Sequence, residues 1–229
     1  MIAATWPCPL PDGGTAQELA LCTGMERPRR VLVVPALFEE ANKLRRFTVE
    51  TLRRLERAGI DAVLPDLPGT NESLQPLEVQ TPAGWRAALA AAVSFFDCTH
   101  VLALRGGGLV APAGLPGWLV APVKGSAVVR QMLRARVIAA REAGREETQD
   151  GLLEIGRRDG LELAGYRLGA GFVAELGELE AETGGRMVVT PELLGGPGLW
   201  LRAEPGESAA QADALAAIVA AGLAWESIP

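Results

Sequence analysis

The sequence predicts an α/β fold: a mostly parallel sheet sandwiched between helices in three layers. Two observations predict it. Short continuous runs of β-branched and aliphatic residues, such as VLVV at 31–34, are what strands buried on both faces require. Those runs alternate with longer stretches whose apolar residues recur at helical spacing, as strand–helix–strand units do. A chain of 229 residues, 48% hydrophobic, is long enough to bury the core of one such domain.

The elements follow in order. Residues 1–30 are mixed, with Pro and Gly clusters and one candidate strand near Glu18–Cys22. The run 31–37 is the first core strand. Leu44, Phe47, Leu52 and Leu55 then mark a helix over 43–59, which Gly59 stops. A strand at 60–67 leads into the loop PGTNESLQP at 68–76. A helix at 84–96, a strand at 100–105 and a strand at 117–123 come next, followed by a helix from Ser126 to about Glu147. In 152–168 the Asp159-Gly160 pair between two alternating runs predicts a hairpin turn. Residues 170–181 read as helix, 185–193 and 198–205 as core strands, and 208–222 as a helix before a short AWESI end. No repeat or linker divides the chain, so 1–229 reads as a single domain, with 148–182 as a cap or lid segment.

Composition excludes several functions. Net charge is −6 and the cationic side chains are nearly all arginine, Lys43 and Lys124 being the exceptions, which argues against nucleic acid as a partner. Cys8, Cys22 and Cys98 are widely spaced and odd in number, which fits a reducing cytoplasm rather than a disulfide framework or a zinc site. The N-terminus has no basic, apolar leader pattern. The longest apolar stretch, ALAAIVAAGLAW, is too short to span a bilayer. Neither a metal nor a cofactor is expected: the G-x-x-x-x-G-K-[ST] pattern is absent and GGG at 106–108 does not satisfy G-x-G-x-x-G. The oligomeric state has no signal.

In a parallel sheet, sites form beyond the carboxyl ends of the strands. The residues falling there are Phe38, Glu39, Glu40, Asn42, Lys43 and Arg46 after the first core strand, Asp66 after the second, Arg105 and Gly106 after the third, and Lys124 after the fourth. HVLALRGGGLVAP at 100–112 has the strand, glycine turn and small residues of a nucleophile elbow, but Arg105 stands where a nucleophile would. A guanidinium stays protonated and cannot attack a carbonyl. Two readings remain: a plain strand exit, or anion capture by Arg105 with the backbone N–H groups of the turn. His100, the single histidine, begins the same strand, roughly 15–20 Å from Arg105 at strand rise, so no Ser–His–Asp triad can form at this edge. Ser73 and Ser126 are the serines near the edge. Lys124 with Ser126 is the alternative catalytic pair, although Ser126 also reads as a helix N-cap. Asp66 reads as a carboxylate that bonds its own loop.

DLPGTNES at 66–73 resembles the D-x-x-G-x-G-x-S loop of α/β-hydrolases, with Asn71 replacing the second glycine. More narrowly, PALFEEANKLRR, LPDLPGTNES, LALRGGG, APVKGSAVVRQMLR and LELAGYRL, within 31–168, are similar to the exosortase A system-associated hydrolase 2 family. That resemblance implies an α/β-hydrolase-like fold and a cytoplasmic accessory protein of an exosortase/exopolysaccharide system. The pocket at the carboxyl edge is expected to bind a small anion, an acylated or sugar-linked intermediate, or a pathway protein, with Glu39 and Glu40 pairing Lys43 and Arg105 or meeting a cationic group; the alternatives are an atypical Ser–Lys hydrolase or acyl transferase, and a protein-interaction platform. The resemblance does not establish hydrolysis. Phe38-Glu39-Glu40 occupies the loop that usually supplies the oxyanion hole, where carboxylates oppose a developing negative charge unless they are paired. Pro112 and Pro116 leave the helix behind the elbow short or missing.

Overall fold

The computed structural model describes residues 1–225. Its strands are β1 (Ile2–Pro9), β2 (Thr15–Cys22), β3 (Arg30–Val34), β4 (Asp61–Pro65), β5 (His100–Leu104), β6 (Gly117–Val120), β7 (Leu161–Leu163), β8 (Tyr166–Leu168) and β9 (Arg186–Val189). Its helices are α1 (Glu39–Arg57), α2 (Pro82–Phe95), α3 (Gly125–Glu142), α4 (Gln149–Asp159), α5 (Ala170–Leu176) and α6 (Ala209–Trp225). Seven strands form one sheet in the order β1-β2-β4-β3-β5-β6-β9. From β4 to β9 all pairings are parallel, while β1 and β2 join antiparallel at one side.

Alternate residues of the central strands divide the core in two. Leu32, Val34, Val101, Ala103 and Leu119 face α2 and α3. Val31, Val33, Leu102, Leu104 and Val120 face α1 and α6. The expected three-layer α/β/α sandwich with a mostly parallel sheet is therefore what forms.

Several elements differ from expectation, each for a physical reason. The 1–30 region holds a full antiparallel ribbon, closed by a turn in which Gly13 and Gly14 take φ of 93° and 83°. Its outer strand hides from pattern reading because Pro7 and Pro9 interrupt it, and proline is tolerated in a sheet at an edge. Helix α1 begins at Glu39, ahead of position 43, and the two glutamates sit in its first turn, where the positive end of the helix favours them. The Asp159-Gly160 pair is no hairpin turn. Residues 149–159 are α4, capped by the Thr148 hydroxyl, which accepts from the Gly151 N–H at 3.2 Å, and Gly160 with φ 79° ends it. The hairpin lies later, between β7 and β8, turning through Ala164 and Gly165. Helix α3 stops at Glu142, followed by Gly144 at φ 72°. The stretch 198–205 is not a strand: Leu199–Leu201 is a single 3-10 turn. The helix over 208–222 runs on to Trp225, and the rest of AWESI lies outside the described residues.

The segment 149–176, inserted between α3 and β9, places α4, the β7–β8 hairpin and α5 over the α2–α3 face. It delivers Tyr166 and Phe172 to Phe38: their ring centroids lie 5.2 and 5.8 Å from that of Phe38, and Phe172 also meets Trp85 at 4.8 Å.

Candidate functional site

The bend after β5 is present and tight. Arg105 takes φ 52°, the left-handed region, and the chain passes into a 3-10 turn over Arg105–Leu109 in place of a helix. Gly107 is required: a Cβ there would lie 2.2 Å from the Pro35 carbonyl oxygen and 2.8 Å from that of Val34, both on or next to β3. Across from the bend, Phe38 ends the β3–α1 connection at φ 56° and ψ −130°, a second strained non-glycine residue. The backbone therefore has a sharp strand exit and a facing loop, the shape of a nucleophile elbow.

The side chains do something else. Arg105 folds back onto Glu40, donating from Nε to Oε2 at 3.1 Å and from Nη2 to Oε1 at 3.0 Å. Its Nη1 donates to the Ala121 carbonyl at 2.7 Å, and the guanidinium lies 4.2 Å from the Trp200 ring centroid. Arg105 and Glu40 are 14% and 12% exposed, so the pair is nearly sheltered from water. An internal carboxylate, a carbonyl and an indole face engage the guanidinium that an external anion would need.

The other expected cations are likewise paired. Lys43 bridges Glu39 one turn earlier at 2.9 Å. Arg46 pairs with Glu207. Lys124 pairs with Glu180 at 2.6 Å on the surface. Asn42 donates to the Tyr166 hydroxyl at 3.3 Å, and burial raises the Tyr166 phenol above its ordinary range. Asp66 accepts from Asn71 Nδ2 at 2.8 Å and from the Glu72 N–H at 3.4 Å, closing its own loop as expected. Burial, the largest influence on it, pushes the Asp66 carboxyl upward.

The bend and the facing loop enclose a cavity of about 20 Å³ that Leu37, Phe38, Gly106, Met132 and Tyr166 help to line. That is room for about one water molecule. A larger cavity, about 150 Å³, opens at the same carboxyl edge on the α1 side of the sheet, between α1, β2, β4 and the Asp66 loop.

Three expected candidates stand apart from the bend. His100 is buried at the opposite end of β5, with Nδ1 2.8 Å from Thr99 Oγ1 and its ring stacked on Trp118 at 5.9 Å. Ser73 donates to Glu18 at 2.8 Å and accepts from the Gly69 N–H at 2.9 Å, so it ties the 66–75 loop to β2. Ser126 is exposed in the first turn of α3 and is not the N-cap; Lys124 holds that position, with no side-chain cap bond. Cys8 and Cys98 are buried, and burial pushes both thiols up to about 12, away from nucleophilic thiolate.

Trp200 and Tyr166 were not anticipated. Gly196-Pro197-Gly198 is a turn signal immediately before Trp200, and it could have unseated the strand assignment there. Among the described residues, no cluster of three or more His, Cys, Asp or Glu could hold a metal, and no helix is long and apolar enough to cross a membrane.

The class that fold and bend define is α/β-hydrolase-like: a parallel sheet with an antiparallel second strand and a glycine-backed elbow at the end of β5. Several solved structures share partial likeness with this chain. Est1E from Butyrivibrio proteoclasticus, solved with ferulic acid, is 15% identical with a TM-score of 0.46, covering 70% of this chain and 67% of its own. The haloalkane dehalogenase DpaA from Paraglaciecola agarilytica NO2 is 16% identical with a TM-score of 0.46, covering 66% and 58%. An esterase from Exiguobacterium antarcticum is 14% identical with a TM-score of 0.44, covering 65% and 60%. The chain thus spans about three fifths to two thirds of the length of these proteins. No protein-family model and no curated protein matches the chain.

Proposed function

We propose that this chain is a binding protein built on the α/β-hydrolase-like fold, without a catalytic triad, acting in the cytoplasm as an accessory of an exosortase/exopolysaccharide system. The observation that carries the non-catalytic reading is the Arg105–Glu40 pair. The position that would present a nucleophile holds a guanidinium, and that guanidinium is spent on an internal carboxylate, a carbonyl and Trp200. The single histidine at the far end of β5 supports the same reading. The accessory role rests on the sequence likeness within 31–168.

Of the two ligand classes expected at this edge, the acylated one fits better than the anionic one. The cations near the bend are neutralised by Glu39, Glu40 and Glu207, while both cavities at the edge have mainly apolar walls. A Ser126–Lys124 hydrolase is disfavoured because Lys124 Nζ is engaged with Glu180 Oε1 at 2.6 Å on the surface.

The test is turnover of p-nitrophenyl acyl esters and thioesters by the parent, Arg105→Ala, Ser126→Ala and His100→Ala. No turnover above buffer in any of them is expected, nor in Arg105→Ser, which restores a hydroxyl without a base. Parental turnover abolished by one of these substitutions overturns the proposal. Co-purification with an exopolysaccharide-pathway protein tests the accessory role.

A further inference from the structure

We infer that the 150 Å³ cavity between α1 and the antiparallel ribbon is a binding site for a small amphiphile, an apolar body of about six heavy atoms carrying one cationic amine. This rests on the reading of the chain as a binding protein and names the class of ligand that it takes.

The cavity exists because the sheet outruns its cover. On the other face, α2 packs over β1 and β2 through Trp85 and Ala88 against Trp6, Cys8, Ala20 and Cys22. On this face α1 lies over the parallel strands, and Leu19 stays 37% exposed. Leu19, Leu21, Val49 and Leu64 supply apolar walls. The depth is distinct from the one-water space behind the elbow, which opens on the opposite face of the α1 N-terminus, toward Met132 and Tyr166.

The polar groups gather at one end. Asp66, Asn71 and Glu72 come from the loop at the carboxyl end of β4, and Arg45 from α1. This end holds two carboxylates, Asp66 and Glu72, against the single guanidinium of Arg45, so it stays net negative. The two bonds of the Asp66 carboxylate come from a side-chain amide at 2.8 Å and a long backbone contact at 3.4 Å, both neutral donors. A carboxylate accepts about four hydrogen bonds, so capacity remains for an ammonium. Burial raises this carboxyl, and its two hydrogen bonds and the nearby Arg45 charge offset that only in part.

The experiment is a methyl NMR titration of the full chain with n-hexylammonium, hexan-1-ol and hexanoate, following Leu19, Leu21 and Leu64. Saturable shifts confined to this cavity are expected, with the ammonium at least about tenfold tighter than the alcohol and hexanoate weakest, since a charge-assisted bond exceeds a neutral one by that factor. Asp66→Asn should reduce the ammonium to the affinity of the alcohol. Val49→Phe, which fills the cavity from a helix surface, should remove binding of all three. No saturable shift, equal affinity for ammonium and alcohol, or tightest binding of hexanoate overturns the inference. Ester turnover in the same preparation overturns the non-catalytic reading and leaves the cavity assignment standing; absent binding without turnover does the reverse.

Discussion

Arg105→Ala tests whether the elbow is now a structural joint. The substitution removes the bidentate bonds to Glu40 at 3.1 and 3.0 Å, the bond to the Ala121 carbonyl at 2.7 Å and the stack on Trp200. It leaves a carboxylate that is only 12% exposed. Breaking a buried pair from one side costs about 3–5 kcal/mol, and the residual exposure places this one near the lower bound, about 3 kcal/mol. For a domain of this size that is a fall in Tm of roughly 6–12 °C. The cycle with Glu40→Ala should give a coupling of at least about 1.5 kcal/mol, because the two side chains bond each other directly. Arg105→Gly should recover about 1 kcal/mol relative to Arg105→Ala, since only glycine occupies φ 52° without strain. Urea unfolding followed by far-UV circular dichroism reads all four. A loss under about 0.5 kcal/mol with no coupling would place the pair among ordinary surface bridges and refute the reasoning.

Three further outcomes are expected. Gly107→Ala forces a methyl against two carbonyl oxygens of the neighbouring strand and should cost more than about 3 kcal/mol in urea unfolding; a loss below 1 kcal/mol would show that the bend is not tight. Phe172→Ala removes the buried ring packed on Phe38 and Trp85 and should cost about 3–5 kcal/mol, with the β7–β8 hairpin losing hydrogen-exchange protection first; uniform loss across the sheet would count against a separable insertion. Glu18 is 2% exposed, and burial raises its carboxyl. The folded state then holds the proton more tightly than the unfolded state, so stability declines as pH rises from the ordinary Glu range through the raised value. Glu18→Gln should remove that decline, and its Tm advantage over the parent should be larger at pH 8 than at pH 4.5; the opposite ordering would refute the assignment.

The central strands were legible because burial on both faces writes them as unbroken apolar runs, as in Val31–Val34 and Val101–Leu104. The ribbon strand Ile2–Pro9 was not, since an edge tolerates prolines and small residues that carry no pattern. The stretch 152–159 was misread because an alternating run and one face of a short helix share apolar positions; the local Thr148 cap, three residues before Gly151, is the signal that decides for the helix. At the site, the missing nucleophile could be read from Arg105 alone, and its pairing with a nearby glutamate was among the readings of Glu39 and Glu40. The indole above it could not be, because Trp200 arrives from a distant turn whose aromatic, aliphatic composition is also that of a strand.

The rims of the sheet have a consequence for handling the protein at high concentration. A sheet can lengthen by recruiting a strand from another molecule wherever its outermost backbone is long and unpaired. One rim here is β1, whose carboxyl half contains Pro7 and Pro9 and is therefore short of N–H donors. The other is β9, four residues long and followed within two positions by Pro191. Neither boundary offers a continuous template, so concentration-driven stacking of sheets is opposed at both sides of the molecule. Replacing Pro7 and Pro9 by threonine would complete one template, and light scattering on ageing concentrated samples should rise in that variant alone.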